Sequence, residues 1–90
     1  MAHTSETQLQ AGLNAAAAAV PIGGVYTHYK TPDHTYTIIG HAILEGGDTV
    51  GVIYQANYGK RITFMRAVTS WQEQVEDGDR TVPRFAPART

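Results

Sequence analysis

Cysteine is absent from all 90 residues, which excludes a disulfide framework, a thiolate nucleophile and any Cys-based metal site. Long hydrophobic runs are missing as well. The longest, Ala15 to Ile22, is too short to cross a bilayer and lacks the basic flank of a secretory signal. No membrane partner is therefore expected, and the cytoplasm is the expected compartment. An excess of either charge is also lacking, with seven Lys and Arg against eight Asp and Glu and a net charge of −1. That balance disfavours a nucleic-acid or anionic-membrane binder driven by overall charge, while leaving room for a local basic patch. Large side chains are scarce before Ile22, so roughly seventy residues remain to build a core, near the size at which one core is marginally stable. A homo-oligomer would be the remaining way to bury more surface.

What is present divides the chain into a leader at 1–21, a domain at 22–87 and a tail at 88–90. Met1-Ala2-His3 reads as readily as an expression remnant as native sequence. The leader turns Gln-, Leu- and Ala-rich from Thr7 to Ala19. Ser5 or Thr4 could cap a helix there, and Pro21 and Gly23-Gly24 would end it. Two outcomes stay open, a disordered leader or an Ala-rich helix docked on the domain or on another subunit.

The domain opens on Gly24-Val25-Tyr26-Thr27-His28-Tyr29-Lys30, whose two-residue period predicts a strand with Tyr26, His28 and Lys30 on one face. Thr31-Pro32-Asp33-His34 reads as a turn. A second strand follows from Tyr36 to Leu44, with Gly40 and Ala42 as places for a bulge or a close backbone approach. Glu45 to Asp48 turns the chain into a third strand, Thr49 to Ala56, and Asn57 to Lys60 into a fourth, Arg61 to Val68. Thr69 to Glu76 breaks the β pattern as one or two helical turns, with Trp71 and Val75 on one face. Arg80 to Ala86 is a last short strand that Pro83 confines to an edge or a barrel seam. The expected fold is mainly β: a small SH3-like barrel, or a five-stranded antiparallel half-barrel with one short helical turn.

Chemistry-bearing residues cluster on these strands. Lys30, Arg66 and Arg84 lie near the ends of three different strands and could converge on an anion, the guanidinium forks suiting phosphate or carboxylate. Tyr26, Tyr54, Phe64, Trp71 and Phe85 offer faces for a planar group, or simply fill the core. Arg84 could instead pair with Glu73 or Glu76. His28, set within a strand, is either a hydrogen-bonded scaffold residue or a base. His28, His34 and His41 with Asp33 lack the close spacing of a ligand pair, so no metal is expected. Gly46-Gly47 is too brief for a phosphate loop, and no cofactor motif is present.

In order along the chain these residues resemble the domain of unknown function family 1653, found in bacterial and phage proteins. Gly24, Tyr26, His28, Tyr29 and Lys30 match its G-x-Y-x-H-Y-K element, Tyr36 and Ala42 the next positions, and Val52, Ile53 and Tyr54 a V-V-Y segment. Tyr58-Gly59, Arg66, Val75, Gly78 and the closing Pro83-Arg84-Phe85 continue it, from about Gly23 to Phe85. The chain departs from the pattern where family members usually carry an H-x-E-T-like segment, placing Leu44, Gly46 and Gly47 there. Phe64 stands for a Trp, Ala67 for a Pro and Trp71 for a Phe. The missing His and carboxylate remove the one acid–base pair that the pattern would supply, and the family brings no agreed activity.

The resulting expectation is a non-enzymatic binding module in which Tyr26, His28, Lys30, Tyr54, Arg66, Trp71 and Arg84 hold a small anionic, nucleotide-like ligand, with ligand sequestration as the role. A protein- or peptide-interaction module is the alternative. A small hydrolase or nucleotide-processing enzyme using His28 with Glu73 is the third reading, and nucleic acid as a partner is disfavoured without being excluded.

Overall fold

The computed structural model describes residues 5–88, so Met1-Ala2-His3, Thr4 as a cap and the end of the expected tail lie outside the described residues. Helix α1 spans Glu6–Ala19. Ser5 stands before it in extended conformation; its Oγ accepts from the Gln8 amide at 3.1 Å, and Gln8 Oε1 accepts from the Ser5 amide at 3.1 Å. This reciprocal capping box satisfies two donors that a helix start leaves open. The helix stops at Val20, as the following Pro21 dictates. Ala16 is buried, and Val20 is only 2% exposed. Burying one such side chain is worth about 1.5–3 kcal/mol, which an Ala-rich helix of this length needs to persist. His41 Nε2 lies 2.7 Å from the Val20 carbonyl oxygen and ties the end of the leader to the sheet. The leader is thus a helix docked on its own domain.

Four strands form the expected antiparallel meander: β1 (Val25–His28), β2 (Thr31–Leu44), β3 (Thr49–Ala56) and β4 (Thr63–Ala67). A four-residue helix α2 (Val68–Trp71) follows, then a separate hairpin of β5 (Gln74–Asp77) and β6 (Arg80–Pro83), and finally β7 (Phe85–Pro87). The main sheet has the order β4-β3-β2-β1-β7. It is open, with β4 and β7 as its edges, so the half-barrel of the two expected architectures is the one that forms. Pro83 explains the split at the end of the chain: a residue without an amide hydrogen ends β6, and only the three residues after Arg84 pair with β1.

Three local expectations are corrected. The β1–β2 turn is Tyr29-Lys30, and Thr31 to His34 belong to β2. The register passes from Thr27↔Thr35 to His28↔Thr31, which leaves Pro32, Asp33 and His34 as excess residues in a bulge. The predicted helix at Thr69 to Glu76 shrinks to α2, because Val75 pairs with Val82 in the hairpin. The expected last strand, Arg80 to Ala86, divides into β6 and β7 between two sheets. A second bulge falls where Gly40 signalled one: Ile38 faces Tyr54 while Gly40 faces Ile53. Ile39 is displaced outward by it, 44% exposed beside an Ile38 at 1%. Beyond the bulge His41 pairs with Val52, so the core-facing set changes parity along β2.

The core is Val20, Tyr36, Ile38, Val52, Tyr54, Ala56, Trp71 and Phe85, with Tyr26 and Val68 packed against it. Its aromatic half centres on Phe85, stacked on Trp71 at 3.7 Å with planes 2° apart. Tyr54 meets Trp71 edge-on at 4.8 Å and Phe85 at 5.7 Å. Among the described residues no helix is long and apolar enough to cross a membrane.

Candidate anion-binding cleft

Strand pairing places Phe64 opposite Tyr54 and Arg66 opposite Val52, so both β4 side chains share the core-facing side of the sheet. On the far side of the curved sheet His28 pairs with Phe85. Between these two edges lies a cleft of about 350 Å³, lined by His28, Lys30, Thr31 and Tyr36 from one half and by Tyr54, Phe64, Arg66 and Phe85 from the other. Its volume sits at the small end of the range for ligand sites. No lining residue is acidic.

Phe85 forms the cleft's aromatic support and fixes the groups above it. The Arg66 guanidinium carbon sits 5.4 Å from the Phe85 ring centre, within cation–π range, and Arg66 Nη1 donates to Ser70 Oγ at 3.0 Å. With its plane set by those two contacts, Arg66 keeps one buried donor, Nε, that meets no hydrogen-bond partner among the described residues. Thr31 Oγ1 is buried and unpartnered in the same way. Buried polar groups normally find partners. Thr31 and Arg66 both line the cleft, so each brings to it a side chain with one buried polar atom that meets no partner among the described residues.

His28 is poised to add another donor. Its Nδ1 accepts from the Lys30 amide at 3.1 Å, so the neutral ring carries its proton on Nε2. Partial burial, followed by the positive charges of Arg66, Arg84 and Lys30, pushes the imidazole below its usual pKa of 6.5. Each cause disfavours a further positive charge, which is what an electropositive recess with no carboxylate produces. Phe64, 40% exposed, stacks on Tyr54 at 5.6 Å and forms an aromatic rim. Tyr36 carries a hydrogen bond between its hydroxyl and that of Tyr58 at 2.8 Å, which raises the Tyr58 pKa above its usual 10.0.

Of the seven residues singled out from sequence, the fold brings His28, Lys30, Tyr54 and Arg66 to this cleft. Phe64 and Phe85, read as stacking faces, line it too. Trp71 lies beneath, 3% exposed, and Tyr26 meets it edge-on at 5.4 Å. Arg84 is occupied elsewhere: Nε donates to the Ser70 carbonyl at 3.1 Å, and Nη2 pairs with Glu73 Oε1 at 2.8 Å. That staple takes up the carboxylate the hydrolase reading assigned to His28, and Glu73 does not line the cleft. Thr31 and Tyr36 are the lining residues that sequence reasoning missed. Thr31 was hidden in a stretch read as a turn, whereas Tyr36 carried a visible signal as the one aromatic at the start of a central strand. His34 stacks on Tyr58 at 4.0 Å and His41 binds the Val20 carbonyl. The histidines are therefore dispersed, and among the described residues no group of three metal-ligating side chains assembles.

Comparison with known proteins agrees with this architecture. The profile of the family described as "Protein of unknown function (DUF1653)" matches residues 24–87. A crystal structure of a DUF1653 protein from Bordetella bronchiseptica is similar with a TM-score of 0.62 and 35% sequence identity, covering 71% of this chain and 82% of that one. No curated protein matches the chain. The match over the whole sheet and hairpin establishes that this chain belongs to the DUF1653 family.

Proposed function

We propose that the protein is a non-enzymatic binding module that holds a small anionic ligand with a planar part in the cleft between β4 and β7. The observation that carries this reading is the pair of buried unpartnered groups, Arg66 Nε and Thr31 Oγ1, in a recess with Lys30 and no acidic lining residue. A group that accepts hydrogen bonds and bears negative charge meets both needs at once. The Phe64 ring, backed by Tyr54, supplies the stacking surface for a base or similar ring. His28 without a carboxylate beside it makes a donor and no general acid–base pair. Sequestration or delivery of a metabolite in the cytoplasm is the role that fits such a module.

The test is isothermal titration calorimetry with adenosine 5′-monophosphate, inorganic phosphate and adenosine, on the intact chain and on Arg66→Ala. Loss of a charge-assisted hydrogen bond corresponds to about 1.5–3 kcal/mol, so binding of the anions should weaken by roughly 10- to 150-fold. Anion affinity unchanged in Arg66→Ala, with the variant still folded, would refute the assignment.

A further inference from the structure

The donor geometry inside the cleft is more specific than its charge. Arg66 commits Nη1 to Ser70 Oγ at 3.0 Å, and its buried Nε has no partner among the described residues. The edge of a guanidinium that carries Nε and Nη2 is the one that meets two oxygens of an anion side-on. Thr31 Oγ1 is a second buried, unmet group on the same lining. The Nε2 proton of His28 and the Lys30 ammonium add donors, the first fixed by the Lys30 amide bond to Nδ1 at 3.1 Å.

A carboxylate has two oxygens, and the Arg66 fork alone would engage both. Thr31, His28 and Lys30 would then compete for the remaining lone pairs. A terminal phosphate offers a third oxygen for them. The charges point the same way. Lys30 and Arg66 bring two positive charges, and no lining residue offsets them. A phosphate monoester carries about −1.5 to −2 at neutral pH, whereas a carboxylate, a sulfate ester or a phosphodiester carries a single charge.

We infer that the cleft recognises a terminal phosphate monoester, seated on the Nε–Nη2 edge of Arg66, with Thr31, His28 and Lys30 around its third oxygen and the attached ring against Phe64. The inference rests on the anion-binding reading of this cleft and narrows its ligand class. Its selectivity comes from oxygen number and charge together, so a monoanion of the same shape is a weak ligand.

Three probes with one common ring separate these contributions: phenyl phosphate, phenyl sulfate and benzoate. The ¹⁵N-labelled protein is titrated with each at constant ionic strength, following the Arg66 Nε–H resonance and the backbone amides of Lys30 and Thr31. Phenyl phosphate is expected to bind at least about tenfold more tightly than phenyl sulfate, with benzoate weaker still, and to move the Arg66 Nε–H signal most. In Arg66→Lys, which keeps the charge and loses the fork, phenyl phosphate should weaken by about tenfold while the remaining amide spectrum stays that of a folded protein. Benzoate or phenyl sulfate binding as tightly as phenyl phosphate, or Arg66→Lys binding it undiminished, overturns the phosphate inference and leaves the anion cleft standing. No response at the cleft to any of the three at millimolar concentration overturns both.

Discussion

Thr31→Val is the substitution that best separates a ligand site from a packing flaw. Valine keeps the size and β-branched shape that strand position 31 requires and removes only the hydroxyl. That hydroxyl is buried with no hydrogen-bond partner among the described residues. A buried hydroxyl left unpaired costs roughly 1–3 kcal/mol in mutational comparisons. The lower end applies here, because the cleft opens to solvent and lets part of the cost relax. The free protein should therefore gain about 1 kcal/mol, and for a domain of this size that raises Tm by about 4–8 °C. Ligand binding should move the opposite way. A hydrogen bond to a charged acceptor is worth about 1.5–3 kcal/mol, so affinity for an anion should fall at least about tenfold. Thermal melts by circular dichroism and calorimetric titration on the same samples give both numbers. A lower Tm would show that Oγ1 is already paired in solution, and the reasoning from unmet donors would fail. A higher Tm with unchanged affinity would leave the hydroxyl as a local flaw with no part in binding.

Two further outcomes follow from the groups around the cleft. Arg84→Met should lower stability by about 1 kcal/mol, chiefly through the lost bond to the Ser70 carbonyl, since Glu73 is 59% exposed and an exposed pair contributes little. Anion affinity should stay within about threefold of the parent, and a loss as large as that of Arg66→Ala would put Arg84 in the site. The second concerns pH. Because His28 titrates below 6.5 in the folded chain, the unfolded chain binds more protons between the two pKa values. Its contribution to stability is full above pH 6.5 and is lost as pH falls through the folded value. Replacing it, as in His28→Gln, should flatten that part of a stability–pH curve measured by urea unfolding. An anion in the cleft should raise the His28 pKa in an NMR titration, and a fall on anion addition would contradict the placement.

Much of the scaffold is legible in the residue order because it depends on local signals. The third strand, Thr49 to Ala56, falls where its alternation and flanking turns put it. Ser5, one of the two expected caps, starts α1, and the helix ends before Pro21 as expected. Gly40 announced a bulge. The failures have one physical origin, which is that strand pairing overrode the preference of the single residue. Pro32 and Asp33 have turn chemistry, yet Thr31 pairs with His28, so the turn moves back to Tyr29-Lys30 and Pro32, Asp33 and His34 are taken up as a bulge. Val75 suits a helix face, but Val82 claims it across a hairpin whose turn is Gly78-Asp79; the Asp77-Gly78 signal is as compatible with the end of a helix as with a hairpin. Site residues divide along the same line. Arg66 and His28 were visible as polar groups in apolar strands, and Glu73 was one of the two partners expected for Arg84, whereas the bond from Arg84 to the Ser70 carbonyl depends on how α2 and β7 meet in space.

Those long-range features are also what creates the cleft. A closed barrel would pair β4 with β7 and bring Phe64 and Arg66 into a continuous ladder with Phe85, filling the seam. Here β6 is diverted to β5, only Phe85–Pro87 returns to β1, and the seam stays open. Both edge strands then contribute lining side chains, Phe64 and Arg66 from one and Phe85 from the other. The bulge at Pro32 to His34 ends the regular β1–β2 ladder beside His28 and Thr31, so their side chains fall at the mouth of that seam. A regular sheet would have given each of these residues a neighbour of its own. Beside that unclosed edge Arg66 Nε and Thr31 Oγ1 are buried with no hydrogen-bond partner among the described residues, and each unmet bond is a stability cost in so small a core.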